Sequence, residues 1–333
     1  MRKSHRPGPG RREMLTVYLL IAEILLFWLF ADNFFSVTNM TTVIQNAAEI
    51  GCISIGVSMC IILGGTDLSV GSALGVCAVI GGKMLQAGMS PVLVILVTLL
   101  IGIVIGLFNG VIVTTFDIPP IIATLAVSNI LRAAIFGLLD GKWLTGLPPM
   151  IEPITKGSIG NVPVLLFVIL ILYAVFYLIM MNTPFGRHVY AIGSNQNAAQ
   201  NVGIRIKRTK LIAFTISGLI VGFASLLYIS RMGAVDMTVG NTLPIQCIAA
   251  VFLGGTSVKG RGGKGTLVGT LAGVFFIAFM KNGIVLLGIP SLLENAMVGS
   301  IIILSVLFDG FFYSRKKAVA PVEGIAEGKG GAA

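Results

Sequence analysis

The stretch NTPFGRHVYAIGSNQNAAQNVGIRIKRTK, residues 182–210, decides how this chain is read. It is the longest polar passage between two strongly apolar ones. It carries Arg187, Arg205, Lys207, Arg208 and Lys210 and no acid. Before it stands VPVLLFVILILYAVFYLIM (162–180), and after it LIAFTISGLIVGFASLLYI (211–229). At about 1.5 Å per residue, each is long enough to cross roughly 30 Å of hydrocarbon as a helix. A basic connector between two such spans is expected on the cytoplasmic side. Its spacing predicts a short helix, with Ser194 or Asn195 as N-cap, residues 196–202 as body and Gly203 as the C′ stop. An exposed helix there is a handle for a soluble partner. The plainer reading is a solvated loop that only fixes orientation.

Composition points the same way. The 333 residues are 56% hydrophobic and 11% charged, with a mean hydropathy of +0.97. Soluble domains carry about 25% charged residues, so the chain reads as an all-α, polytopic transmembrane helical bundle. The net charge of +10 does not imply nucleic acid. Seventeen of the 23 Lys and Arg fall in four places: the N-terminus to Arg12, the connector, 259–264, and the tail from Arg315. Under the positive-inside rule these are cytoplasmic loops and ends, not a phosphate groove. Cys52, Cys60, Cys77 and Cys247 sit in apolar surroundings without C-x-x-C spacing and read as small buried hydrophobes.

Taken in order, residues 1–13 form a basic, Gly/Pro-rich, disordered cytoplasmic N-terminus. The membrane region runs over 14–309, with the connector at 182–210, and a cytoplasmic tail fills 310–333. The first apolar run, 14–31, is too long for a signal-peptide core, contains Glu23 and lacks a cleavage site, so it is an uncleaved span. Further spans are expected at 44–63, 70–86, 91–114, 121–139, 162–180, 211–229, 265–280 and 292–308. Residues 245–255 give only a marginal piece, a short crossing or a re-entrant segment. Counted as a crossing, it gives about ten spans with both ends inside, and puts all four basic clusters on one side.

Leu63-Gly64-Gly65-Thr66 recurs as Leu253-Gly254-Gly255-Thr256, each closing an apolar run before a Gly-rich helix, which suggests two pseudo-repeats with broken helices. Gly102, Gly106 and Gly110 share a helix face, as do Gly265, Gly269 and Gly273, and Gly218 with Gly222; these are packing seams. The string Gly260-Arg261-Gly262-Gly263-Lys264-Gly265 fits G-x-G-x-x-G but lacks the preceding strand and later acid of a dinucleotide site, and is no Walker A motif. Any ATP hydrolysis must therefore occur on another chain. No cofactor, metal or catalytic residue is expected: His5 and His188 are the only histidines, and no paired-carboxylate constellation stands out.

Charges within apolar runs are functional candidates because lipid burial is costly: Glu49, Asp67, Arg132, Lys281 and Glu294. Asp67 lies at a helix break, where it caps the following helix or lines a polar path with Ser69; capping is the plainer account. Asn109, Asn129 and Gln246 offer hydrogen bonds to a hydroxylated solute, or between helices.

Four strings resemble the ribose-type permeases of bacterial ATP-binding-cassette sugar importers: GGTDLSVGSALG (64–75), GLFNGVIVTTFDIPPIIATLA (106–126), TPFGRHVYAIGSNQNAA (183–199) and LGGTSVKGRGGKGTLVGTLAG (253–273). The resemblance runs from about Phe34 to Asp309. It implies a multi-pass protein of the bacterial cytoplasmic membrane, in contact with lipid. Its partners would be a second permease, identical or homologous, two ATPase subunits and an extracytoplasmic solute-binding protein. It also implies that Gly186, Arg187, Asn195, Gln196, Asn197, Ala198, Ala199 and Gly203 belong to a coupling segment that seats in the ATPase. The family often has Glu-Glu-Ala-Ala where this chain has Gln196-Asn197-Ala198-Ala199, which leaves the charge pairing at that contact open. The outer stretch GKWLTGLP (141–148) is similar to the family's autoinducer-2 branch; ribose, xylose and rhamnose remain as solutes. The competing class is an ion-gradient-driven secondary transporter with Asp67 or Glu49 as its ion site.

Overall fold

The computed structural model describes residues 11–150, 152–256, 265–290, 293–294, 296–301 and 303. Residues 1–10 of the expected N-terminal tail, the C-terminal tail, the G-x-G-x-x-G string up to Lys264, and residues 292, 295, 302 and 304–308 of the last expected span lie outside these residues. Residues 11–13, expected to be disordered, begin the first helix. The elements are almost all helical: α1 (Arg11–Phe30), α2 (Val37–Ile62), α3 (Val70–Gln86), α4 (Pro91–Thr115), α5 (Pro120–Leu139), β1 (Leu144–Thr145), α6 (Glu152–Thr155), β2 (Ser158–Ile159) and β3 (Val162–Pro163), then α7 (Val164–Asn182), α8 (Pro184–Ser194), α9 (Gln196–Asn201), α10 (Ile206–Met232), β4 (Ala234–Val235), α11 (Leu243–Leu253) and α12 (Leu267–Leu286).

Among the described residues, six helices are long and apolar enough to cross a membrane: α2, α4, α5, α7, α10 and α12; α1, α3 and α11 add shorter apolar segments. At the extremes, burial runs against hydropathy. α4 and α7 are the most apolar of the six yet leave most of their surface bare, whereas α2, the least apolar, is the most buried. In lipid, apolar surface has no reason to hide, so the interior goes to helices that bring small and polar groups to one another.

The glycine rows act as seams. Gly102, Gly106 and Gly110 of α4 face Gly218, Gly222 and Leu211 of α10 so closely that a methyl on any of the five glycines would press into the opposing helix. Gly269 and Gly273 of α12 meet Gly254 and the backbone of Ala250 in the same way. The rows seen in the sequence thus pair with each other or with α11.

The repeated Leu-Gly-Gly-Thr is a matched pair of helix stops. After α2, Gly64 takes φ +83° and Gly65 N–H reaches back to Cys60 O at 2.9 Å; after α11, Gly255 takes φ +87° and Thr256 N–H reaches Val251 O at 3.3 Å. The hydrogen-bond pattern is the same and the left-handed glycine is displaced by one residue.

The marginal segment proves to be a half-helix preceded by a two-residue strand and a run of turns. β4 pairs antiparallel with β1, Leu144 opposite Val235, at the end of the bundle away from the connector. From there residues 236–242 run inward. Arg132 on α5 holds this strip through Met237 O (3.3 Å) and Val239 O (2.8 Å). The strip meets the first turn of α3 at Gly71 and Gly240. Ser72, one residue on, bonds Ser128 at 2.9 Å, which lies eight residues into α5, about 12 Å from its start. α11 therefore begins well inside the bundle and needs only its eleven residues to reach the connector end.

Several boundaries differ from the sequence reading. α2 starts at Val37, not 44: Ser36 caps it by accepting Asn39 N–H at 3.2 Å, and the Thr41 and Thr42 hydroxyls turn back onto Val37 O and Thr38 O. Their polarity is absorbed within the helix. α10 begins at Ile206 and carries its basic residues in its first turns, and α12 runs on to Leu286, past Lys281. α7 starts at Val164 because Val162–Pro163 forms a strand with Ser158–Ile159.

Candidate functional site

Two places gather the chain's polar residues. The first is the connector. α8, which the sequence reading left as loop, follows α7 after a sharp turn capped by Thr183, whose hydroxyl accepts Gly186 N–H at 3.3 Å. It is amphipathic: Val189 and Ile192 are buried while Arg187 points to solvent. Gly186 sits against the Met180 backbone, where any side chain would collide. This contact sets the angle at which α8 leaves α7. α8 reaches the α11–α12 linker, where Tyr190 Oη donates to Gly265 O at 3.1 Å.

α9 stands on this platform and matches the expected short helix closely. Asn195 is its N-cap, its Oδ1 accepting Ala198 N–H at 3.0 Å. Val202 is the C-cap, so the helix ends one residue earlier than expected, and Gly203 takes the left-handed φ of +83°. Gln196, Asn197 and Ala198 are exposed, Ala199 is buried, and Val202 is 76% exposed. Lys210 Nζ donates to Gln196 Oε1 at 3.2 Å, and Lys207 lies 3.5 Å from Asp117 in the α4–α5 turn. α9 is a small capped helix with an apolar tip at the basic end of the bundle.

The second place is the break between α2 and α3. Asp67 is not the N-cap of α3, as capping would require; Ser69 holds that position and makes no side-chain cap bond. Asp67 Oδ1 instead accepts Ser69 N–H (3.0 Å) and Ser69 Oγ–H (2.7 Å), a turn closed just ahead of the helix. Asn109 on α4 donates to Ser69 Oγ at 2.7 Å, and Thr124 Oγ1 on α5 accepts Leu68 N–H at 3.1 Å. Asp67, Ser69 and Asn109 are thus brought together, all buried. Asn129 is exposed on α5 and does not join them. Gln246 lies elsewhere, on α11.

Four further charges at the membrane helices form two pairs. Arg231, overlooked in the sequence because it falls just after an apolar run, donates from Nε (3.0 Å) and Nη2 (2.7 Å) to Glu49 Oε1. Lys281 pairs with Glu294 at 3.0 Å. Between these pairs lies a cavity of about 310 Å³, lined by Glu49, Tyr228, Asp236, Thr242, Gln246 and Lys281 among others. A lone cation following an apolar run, with an unmatched acid in another run, was the signal for Arg231.

A helical bundle with breaks turned by glycine, buried polar groups beside them and a capped helix displayed at its basic end has the build of a membrane transport protein. The chain belongs to the family described as branched-chain amino acid transport system / permease component, which it matches over residues 39–306. It is 34% identical over 294 residues to the autoinducer 2 import system permease protein LsrC of Photorhabdus laumondii, covering 87% of this chain and 88% of that one. It is 33% identical over 310 residues to the ribose import permease protein RbsC of Haemophilus influenzae, covering 92% and 94%. No solved structure matches the chain. It is a multi-pass membrane permease component, of a family whose members work as transport subunits.

Proposed function

We propose that this chain is the membrane-spanning permease of an ATP-binding-cassette importer for a sugar or sugar-like solute, working with separate ATPase subunits, a second permease and an extracytoplasmic solute-binding protein. The basic end and both termini face the cytoplasm, in line with the positive-inside rule. The observation that carries the reading is α9: a helix capped at both ends, exposed, tipped by Val202 and held by α8. Such a helix offers an ATPase a rigid, mostly uncharged knob. Asn195, Gln196, Asn197, Ala198 and Ala199 form it, Gly203 ends it, and Gly186 and Arg187 lie on the platform beneath. Gln196 and Asn197 leave polar, uncharged contacts where a pair of acids would make ion pairs. The solute class follows from the relatives named for ribose and autoinducer 2.

Movement of α9 by the ATPase has to favour one of two bundle arrangements to change access, since a contact made equally in both shifts nothing. Gly186→Leu cannot be accommodated against Met180. In proteoliposomes holding the assembled importer, it is expected to abolish uptake and solute-stimulated ATP hydrolysis while the permease still inserts. Wild-type uptake in that variant rules out the coupling role. An ion-driven carrier would instead keep its uptake without ATP and lose it with an uncoupler.

A further inference from the structure

We propose that residues 236–242 are a strap that closes the cavity between α2, α10, α11 and α12, and that Arg132 is its latch. Arg132 binds the strap's carbonyls when the strap is closed and Asp236, at the strap's root, when it opens. The link to transport rests on the importer reading above; the latch rests on this chain's own geometry.

The strap is the main wall of the cavity. Asp236, Thr238, Val239, Gly240, Asn241 and Thr242 supply six of the eleven lining residues, and the helices supply the rest. Its internal hydrogen bonds are turns, Val239 N–H to Asp236 O at 3.4 Å and Asn241 N–H to Thr238 O at 3.0 Å, which travel with it when it moves. Left-handed glycines flank it: Gly233 just before, at φ +62°, and Gly240 near its far end, at φ +72°. Glycine takes up backbone rotations that other residues resist, as a hinge requires.

One polar side chain ties the strap to the rest of the bundle. Among the described residues, the hydrogen bonds that join 236–242 to elements other than α11 are the two that Arg132 Nη1 donates, to Met237 O at 3.3 Å and Val239 O at 2.8 Å. Val239 adds an apolar anchor: it is 3% exposed, and its side chain lies with that of Ile135 against Gly75. Val239 is therefore hidden only while the strap is down.

The latch has a second partner within range. Arg132 and Asp236 are close enough to feel each other's charge, yet no ion pair joins them. Asp236 Oδ1 instead accepts the N–H and hydroxyl of Thr238. A guanidinium binds a carboxylate more strongly than it binds neutral carbonyls, and a charge inside a membrane bundle keeps to its partners. Exchanging the two carbonyls for Asp236 leaves Arg132 paired, holds the root of the strap and frees 237–242 to swing. Two discrete arrangements of one side chain are what a ligand or partner can bias. Arg132 is thus a positioning residue, acting through the strap.

The test uses the assembled importer in lipid nanodiscs. Cys52, Cys60, Cys77 and Cys247 are buried, so Val239→Cys reports strap opening through its reaction with a charged methanethiosulfonate reagent. In that background and without nucleotide, Arg132→Met is expected to speed labelling about tenfold, the scale of losing a hydrogen bond from a charged group. Asp236→Asn, which weakens the open arrangement alone, is expected to slow it. ATP turnover is expected to raise the rate above rest. An unchanged rate in Arg132→Met or in Asp236→Asn overturns the latch, as does an equal rise at the four native cysteines, which would mean general loosening. A rate that turnover leaves unchanged overturns the gating role. Should Arg132→Met not assemble, Arg132→Lys, which keeps the charge but loses the planar fork, takes its place with the same expected direction. If uptake by the unmodified importer proves independent of ATP, the importer reading fails instead, and the variants compared without nucleotide still test the latch.

Discussion

Gly71 and Gly240 meet backbone to backbone, 169 positions apart in the sequence, where the first turn of α3 abuts the turns leading into α11; a methyl on either would strike the other's carbonyl oxygen. Gly240 also takes φ +72°, a conformation that L side chains adopt at a cost. Gly240→Ala therefore meets both strain and overpacking, each of the order of 1–3 kcal/mol. The expected result is a clear fall in melting temperature of the detergent-solubilised permease. Gly88→Ala is the control: its φ is +73° but nothing lies within 4 Å of the added methyl. It is expected to lose only the strain component.

The Glu49–Arg231 pair joins the middle of α2 to the end of α10, with both side chains largely out of solvent. Removing one partner of a buried pair costs roughly 3–5 kcal/mol, because the other is left unpaired, while replacing both by apolar groups often costs little. Glu49→Gln or Arg231→Met alone is expected to destabilise strongly. The double substitution Glu49→Leu with Arg231→Met is expected to recover much of the loss in thermal melting. A double variant as unstable as the two singles combined would mean that each side chain acts separately.

Asn195→Ala removes the side-chain cap of α9 and costs about 1 kcal/mol of helix stability. Six residues cannot hold a helix without help, so α9 is expected to fray. Solute-stimulated ATP hydrolysis should fall while the melting temperature of the bundle stays the same. Asn195→Asp, which keeps the capping oxygen, should retain most of the coupling. Equal activity in all three proteins would show that the order of α9 is irrelevant to it.

Asp117 and Lys207 are both well exposed and 3.5 Å apart. Surface pairs of this kind contribute about 0–1 kcal/mol, so Lys207→Gln should leave the melting temperature almost unmoved. Asp117 itself stands at φ +52°. Asp117→Asn tolerates that conformation, whereas Asp117→Val is expected to cost about 1–2 kcal/mol. The contrast separates backbone strain from charge.

The connector was the most legible part of the chain. Asn195, the Gly203 stop and the body between them obey local rules that need no distant residue, and α9 forms within one residue of expectation. α8 went unread because its apolar positions, Val189 and Ile192, are few and separated by charge and glycine. Its amphipathic face means something only once the ends of α7 and α10 are there to cover it. The role of Asp67 was misjudged for a related reason: the turn it closes depends on Asn109 and Thr124 arriving from α4 and α5.

By itself, the sequence determined a bundle of apolar helices, the basic end, the glycine rows and the short capped helix, because hydropathy, charge and capping are encoded over a few neighbouring residues. The tertiary structure alone decided which glycine rows face each other and that α11 is a half-helix led in by a run of turns. It also decided that Glu49 meets Arg231 and that Gln246 on α11 meets Glu294. Those outcomes depend on contacts between residues far apart along the chain. In lipid, where apolar burial gives little guidance, such contacts are settled by close packing and hydrogen-bond pairing, which no local pattern spells out.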